Sequence, residues 1–238
     1  TFVYSGLVDN TVYTGTFSAK DQNGRSTTNS FFFDTFVETN VTILEAENYN
    51  FETGSNSCPS VTRTSFDPNG YLQNPLPSGL DTVNGGYTNE VQGYVDRAGV
   101  QNVDYFDASA SVVQSEYRFC DTFDVRKKNA TEYLRPAYVN SFIDDYILEQ
   151  VDAGDWANYT HVYPDSNYQV YLRVGARAKV VHYDLSRLTS DRTQPNQTTV
   201  TLGTFTAPAL AARETLMYRP LADAFGNPVL VRFNGETT

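Results

Sequence analysis

Closely spaced carboxylates are the side chains of this sequence best suited to chemistry. Glu45 and Glu47 stand two apart in Leu44-Glu45-Ala46-Glu47-Asn48-Tyr49, so on an extended strand both project from one face. Paired hard oxygen donors suit Ca2+, and the competing reading is an exposed acidic strand face. Asp144/Asp145 and Asp152/Asp155 are further pairs, of the kind that cleaves glycosidic bonds when one acid is protonated and the other ionised. With 28 Asp plus Glu in the chain, however, most carboxylates are solvated or turn-forming. The rest of a catalytic inventory is thin. His161 and His182 are the two histidines, and there is no H-E-x-x-H, no G-x-S-x-G and no phosphate-cradling glycine loop. His161 stands among Tyr159, Thr160 and Val162, a structural setting. No enzymatic activity is expected.

Composition narrows the fold and the partners. Aromatic residues make up 14% of the 238 residues, with 17 Tyr and 15 Phe against one Trp and one Met. Abundant Thr, Val, Tyr and Phe without long helical patterns predict an all-β chain. The net charge of −11 repels phosphate backbones and anionic lipid headgroups, so neither nucleic acid nor membrane is an expected partner. No apolar run approaches the roughly 20 residues of a membrane-spanning helix. The chain starts at Thr1 without a signal-like segment, so a targeting peptide would lie outside it. Sequons occur at Asn40, Asn129, Asn158 and Asn196; they would carry glycans in a eukaryotic secreted protein, and a Thr-rich chain also produces several by chance. Cys58 and Cys120 pair only if their Cα atoms lie within about 7 Å, and two free thiols are the alternative.

The elements that would position these residues fall into two domains. In residues 1–38, Tyr13, Phe17 and Ala19 share one strand face by the two-residue period. Asp21-Gln22-Asn23-Gly24 is a strong turn signal, and Ser30-Phe31-Phe32-Phe33-Asp34 reads as the return strand. Two strands cannot make a core, so this hairpin needs further sheet from elsewhere. Residues 41–238 form the second domain. Thr42 to Tyr49 reads as its first strand, and the chain is irregular from about Asn50 to Asn140. Regularity returns at Tyr168 to Arg177, where apolar and mostly polar residues alternate, after a turn at Pro164-Asp165-Ser166-Asn167. Thr198 to Thr206, Leu216 to Leu221 and Pro228 to Phe233 complete the strands, the last two joined by Gly226-Asn227. Short strands separated by turns predict an antiparallel β-sandwich.

Two segments carry a more specific signal. Leu44-Glu45-Ala46-Glu47-Asn48-Tyr49, followed by Val151-Asp152-Ala153-Gly154-Asp155-Trp156-Ala157-Asn158-Tyr159, a proline turn and an alternating strand, resembles the family 6 carbohydrate-binding modules. Leu7-Val8-Asp9-Asn10-Thr11-Val12-Tyr13 with Phe17 and Ala19 resembles a late strand of a fibronectin type III domain, with Asp9 where proline is usual. The second resemblance implies an immunoglobulin-like hairpin whose corner tyrosine, Tyr13, ties its hydroxyl to backbone upstream. The first implies a non-catalytic jelly-roll sandwich of a secreted or cell-surface protein, with the stretch from Asp104 to Phe142 a loop insertion. It also implies a structural Ca2+ held by Glu45 and Glu47, and a final strand with a further carboxylate beyond Thr238.

Sugar binding in such modules uses two aromatic platforms and an asparagine in a cleft at one edge. Carried over by position, one platform falls on Gln150 and the other near Thr215, while the asparagine lies beyond Thr238. Tyr146 and Tyr218 are the candidate substitutes, and Trp156 is expected in the core beside Tyr159. The implied partner is a polysaccharide or glycan outside the cell. The alternative is an assembly module of an extracellular filament or surface layer, self-associating or completed by neighbouring strands.

Overall fold

A computed structural model of the protein describes residues 4–9, 11–35, 42, 44, 46, 47, 49, 50, 99–109, 118, 121–128, 145–209 and 217–238. Among the described residues the regular structure is all β, in two-stranded sheets of which several are antiparallel. The chain divides into two compact units: Thr1–Val41, Gln169–Asp184 and Gly203–Val229 make the first, and Thr42–Tyr168, Leu185–Leu202 and Leu230–Thr238 the second.

In the first unit, β1 (Val12–Lys20) pairs with β2 (Ser26–Asp34), Tyr13 opposite Phe33 and Gly15 opposite Phe31. The turn between them closes where Gly24 N donates to Asp21 O at 3.0 Å, and φ of +81° at Gly24 is a conformation glycine adopts freely. Val8 N donates to the Tyr13 hydroxyl at 2.7 Å, the upstream tie expected of a corner tyrosine.

Among the described residues ten further strands follow in chain order: β3 (Tyr105–Phe106), β4 (Val125–Lys128), β5 (Asp145–Leu148), β6 (Trp156–Ala157), β7 (His161–Gln169), β8 (Tyr171–Val174), β9 (Val181–Leu188), β10 (Thr199–Ala207), β11 (Met217–Pro220) and β12 (Leu230–Thr237). β8 pairs with β11, Met217 opposite Val174. β9 pairs with β10, and both contribute residues to each unit. Phe205, Ala207, Met217 and Leu221 are buried in the first unit. Gly203 sits there because a Cβ would meet Ala222 O at 2.7 Å, where Thr204 and Ala222 exchange backbone hydrogen bonds.

The second unit pairs β3 with β6, β4 with β5 and β7 with β12. Along β12, Val231 and Phe233 are buried while Leu230, Arg232 and Asn234 are exposed, the alternation of a sheet with one covered face. Phe233 stacks on Tyr163 at 4.6 Å between ring centroids. Tyr49, Tyr105 and Phe123 form a buried aromatic cluster, against which Leu148, Ala157 and Tyr159 pack.

Several expectations are corrected. The described residues of Thr42–Tyr49 form no strand, and Ala46 and Glu47 lie in a turn. Their neighbours are held singly instead, Ala46 O by the Tyr159 hydroxyl and Asn50 N by Asn158 O. The two-residue period therefore does not apply to Glu47. Pro164-Asp165-Ser166-Asn167 lies inside β7 rather than in a turn. All four residues are exposed, where a strand tolerates the missing proline N–H. The expected strand from Tyr168 to Arg177 breaks at Val170, whose carbonyl accepts from Leu221 N at 2.9 Å. The last strand runs on to Thr237 instead of stopping at Phe233. The stretch expected to be an insertion, Asp104 to Phe142, supplies β3, β4, Tyr105, Phe123 and Val125 to the buried interior.

Candidate functional site

Three polar features of the second unit could do chemistry. The first surrounds Arg118, which is 0% exposed. A guanidinium leaves water only where its donors are met, and here each direction is filled. Nε donates to Asp121 Oδ2 at 2.7 Å, Nη2 to Asn50 O at 2.7 Å and Nη1 to Tyr49 O. The guanidinium carbon lies 3.6 Å from the Tyr49 ring centroid, a cation–π contact. Asp121 also accepts from the Tyr49 hydroxyl at 2.6 Å and from Gly99 N at 2.9 Å. Burial pushes the Asp121 carboxyl and the Tyr49 phenol upward in pKa, while Arg118 opposes both shifts. Asn50 and Thr160 exchange hydrogen bonds alongside, at 2.8 Å each. The described members of the cluster are buried and spend these hydrogen bonds on one another, which ties segments distant in sequence together.

The second feature is the Asp152–Trp156 edge. Asp155 Oδ2 accepts from Asp152 N at 2.6 Å and Oδ1 from Ala108 N at 2.8 Å. Asp155 thus shapes the turn with both oxygens, which accounts for one member of the Asp152/Asp155 pair without acid–base work. Gly154 has φ of +103° and Gln150 of +54°. Gln150 and Asp152 are exposed before the turn. After it, Trp156 on β6 stacks on Phe106 of β3, centroids 6.4 Å apart and planes 21° apart. Trp156 is half-buried beside Phe106 rather than in the core beside Tyr159, because the two-residue period that turns Ala157 inward turns Trp156 away.

The third is an open cavity of about 460 Å³ lined by Arg187, Leu188, Ser190, Asp191, Arg192, Thr193, Glu236, Thr237 and Thr238. Arg192 Nη1 donates to Glu236 Oε1 across it.

The expected sugar-contacting residues are distributed. Tyr146 stands on β5 opposite Lys127 and, like Gln150, belongs to the second unit. Tyr218 belongs to the first, half-buried on β11 opposite Arg173, whose guanidinium lies 5.9 Å from its ring centroid. Glu47 is buried at 2% exposure, and its charge adds to burial in raising the Tyr159 pKa. Glu45, Thr215, Cys58, Cys120, Asn40 and Asn129 lie outside the described residues. Of the two described sequons, Asn158 spends its amide on Val103 O and Gln197 Oε1 at 2.7 Å each, whereas Asn196 is exposed. His161 packs edge-on against Tyr163 at 4.6 Å, and His182 shares a 3.1 Å hydrogen bond with Thr206.

Among the described residues, no three His, Cys, Asp or Glu side chains gather as a metal site, and no helix is long and apolar enough to cross a membrane. Sequence reasoning missed Arg118 and Asp121 because nothing in their local pattern distinguishes them from surface charges. The cavity was missed because its two walls are some forty residues apart in sequence. Comparison with protein-family models, curated proteins and solved structures gives no match.

Proposed function

We propose that the chain is a non-catalytic carbohydrate-binding module of a secreted or cell-surface protein. The supporting observation is the Gln150–Trp156 edge. A turn held by both oxygens of Asp155 carries the exposed Gln150 and Asp152 before it and the half-buried Trp156–Phe106 ring pair after it. Rigid aromatic surface beside free hydrogen-bonding groups is the chemistry that sugars recognise: C–H faces on the rings, hydroxyls on the polar groups. Tyr146 and Gln150 are the proposed contacts on this unit, with Tyr218 a separate candidate on the other. Retention of the purified chain on an array of polysaccharides, diminished by Gln150→Ala and Trp156→Ala, is the test; undiminished retention by both variants counts against this edge.

Calcium belongs to the same proposal, with Glu47 as its described ligand. One carboxylate is far short of the roughly six to eight oxygens Ca2+ takes, and Glu45 falls outside the described residues, so no coordination geometry is assigned. The second reading, an assembly module, is favoured by one observation. Phe17 and Phe31, on the same face of the β1–β2 hairpin, are 51% and 49% exposed, a surface that gains from being covered. Concentration-dependent self-association of the purified chain without glycan binding would select it.

A further inference from the structure

We infer that the cavity between the β9–β10 loop and the end of β12 is a second sugar site, one that takes an uncharged saccharide unit through a pair of neighbouring hydroxyls. The inference rests on the carbohydrate reading above but shares no residue with the Gln150–Trp156 edge. Its walls are preformed. Thr193 gives both its N–H and its hydroxyl to Asp191 Oδ1 at 2.8 Å, and Thr198 N donates to Ser190 Oγ at 2.9 Å. Gln197 Nε2 donates to Arg192 O at 3.1 Å. A loop tied at so many points loses little freedom on binding. The volume, about 460 Å³, falls in the roughly 300–1,000 Å³ range of small-molecule sites.

The lining selects the ligand class. Two guanidinium groups, two carboxylates and several hydroxyls face one apolar side chain, Leu188. An apolar ligand would strip water from these charges and return nothing. A polyanion would meet Asp191 and Glu236 in a chain of net charge −11. Neighbouring hydroxyls fit better, because each hydroxyl both donates and accepts. A carboxylate offers two acceptor oxygens and a guanidinium offers parallel N–H donors in one plane. The Arg192–Glu236 pair sets both kinds side by side. Arg187 lines the same cavity, its guanidinium 5.5 Å from the Phe233 ring centroid and its Nη2 donating to Arg232 O. No aromatic ring is among the described lining residues, so the polar contacts carry the proposed recognition.

Calorimetric titration of the full chain with glucose, galactose, mannose, xylose and glucuronate tests the inference. At least one uncharged sugar should bind, and Glu236→Gln and Arg192→Ala should each weaken it about tenfold. Both changes sit on partly exposed side chains, so the melting temperature should hold and Glu236→Gln stands alone if Arg192→Ala unfolds. Unchanged affinity in both variants overturns the cavity site, as does loss confined to Gln150→Ala; either result leaves the carbohydrate reading intact. Glucuronate binding tighter than every neutral sugar overturns the uncharged assignment. If neither these sugars nor any polysaccharide binds, both the site and the carbohydrate reading fall.

Discussion

Replacing Arg118 with methionine would leave the Asp121 carboxylate buried with its cationic partner gone, and would free the Tyr49 and Asn50 carbonyls. Breaking one side of such a pair costs about 3–5 kcal/mol. Arg118→Met should therefore lower the denaturation midpoint sharply, and Arg118→Met with Asp121→Leu should recover part of the loss; chemical denaturation of the three proteins checks this. The tyrosines give a second prediction at this scale. Burial, with Tyr168 beside it, pushes Tyr163 up to about 12, and burial also raises Tyr49, Tyr105 and Tyr159. Each folded phenol keeps its proton over a range where the unfolded chain, near pKa 10, releases it. Their contribution is complete below about pH 10 and declines as pH rises toward the folded values. Denaturation midpoints should fall progressively above pH 10; a flat profile there would contradict the burial of these rings.

Two glycines separate rigid from compliant packing at the scale of elements. A Cβ on Gly203 would meet the Ala222 carbonyl oxygen at 2.7 Å and Leu221 Cγ at 2.8 Å, in a backbone-to-backbone contact that cannot yield. The nearest atoms a Cβ on Gly15 would meet belong to the Phe31 ring, and that half-exposed ring can swing into water. Gly203→Ala should cost about 1–3 kcal/mol and Gly15→Ala distinctly less, as thermal melts of the two variants would show. These elements also mark what was legible in the sequence. The hairpin was, because Asp21-Gln22-Asn23-Gly24 is turn chemistry that acts locally and the flanking residues alternate. The strands within Thr199–Ala207, Met217–Pro220 and Leu230–Thr237 were close for the same reason. Thr42–Tyr49 misled because its apolar–acidic alternation imitates a strand, while the described partners of Ala46 and Tyr49, Tyr159 and Arg118, are about seventy or more residues away. Asp104–Val125 had no clean period because its buried residues are as much polar as apolar: Asp104, Asp107, Arg118 and Asp121 beside Tyr105, Phe123 and Val125. Burial of that kind is decided by hydrogen-bond partners distant in sequence, which hydropathy cannot report.

For the whole molecule, the described structure is all β in a chain of net charge −11, with a buried ionic cluster in one unit and, in the same unit, exposed polar residues close in sequence to a stacked ring pair. Calcium enters at this scale through stability. If Glu47 holds Ca2+, excess chelator should lower the melting temperature and added Ca2+ restore it; an unchanged curve removes the metal. The candidate sugar contacts were only partly legible: Gln150 falls at a position that the resemblance marks, Trp156 was expected in the core rather than at a sugar, and the Arg192–Glu236 cavity exists only once two distant segments meet. The most direct test of the account is to apply the purified chain to a polysaccharide array while assaying the released solution for new reducing ends. The account predicts weak but reproducible retention on at least one glycan, reduced by Gln150→Ala, with no reducing ends released. Retention on no glycan, or release of cleaved sugar, would contradict it.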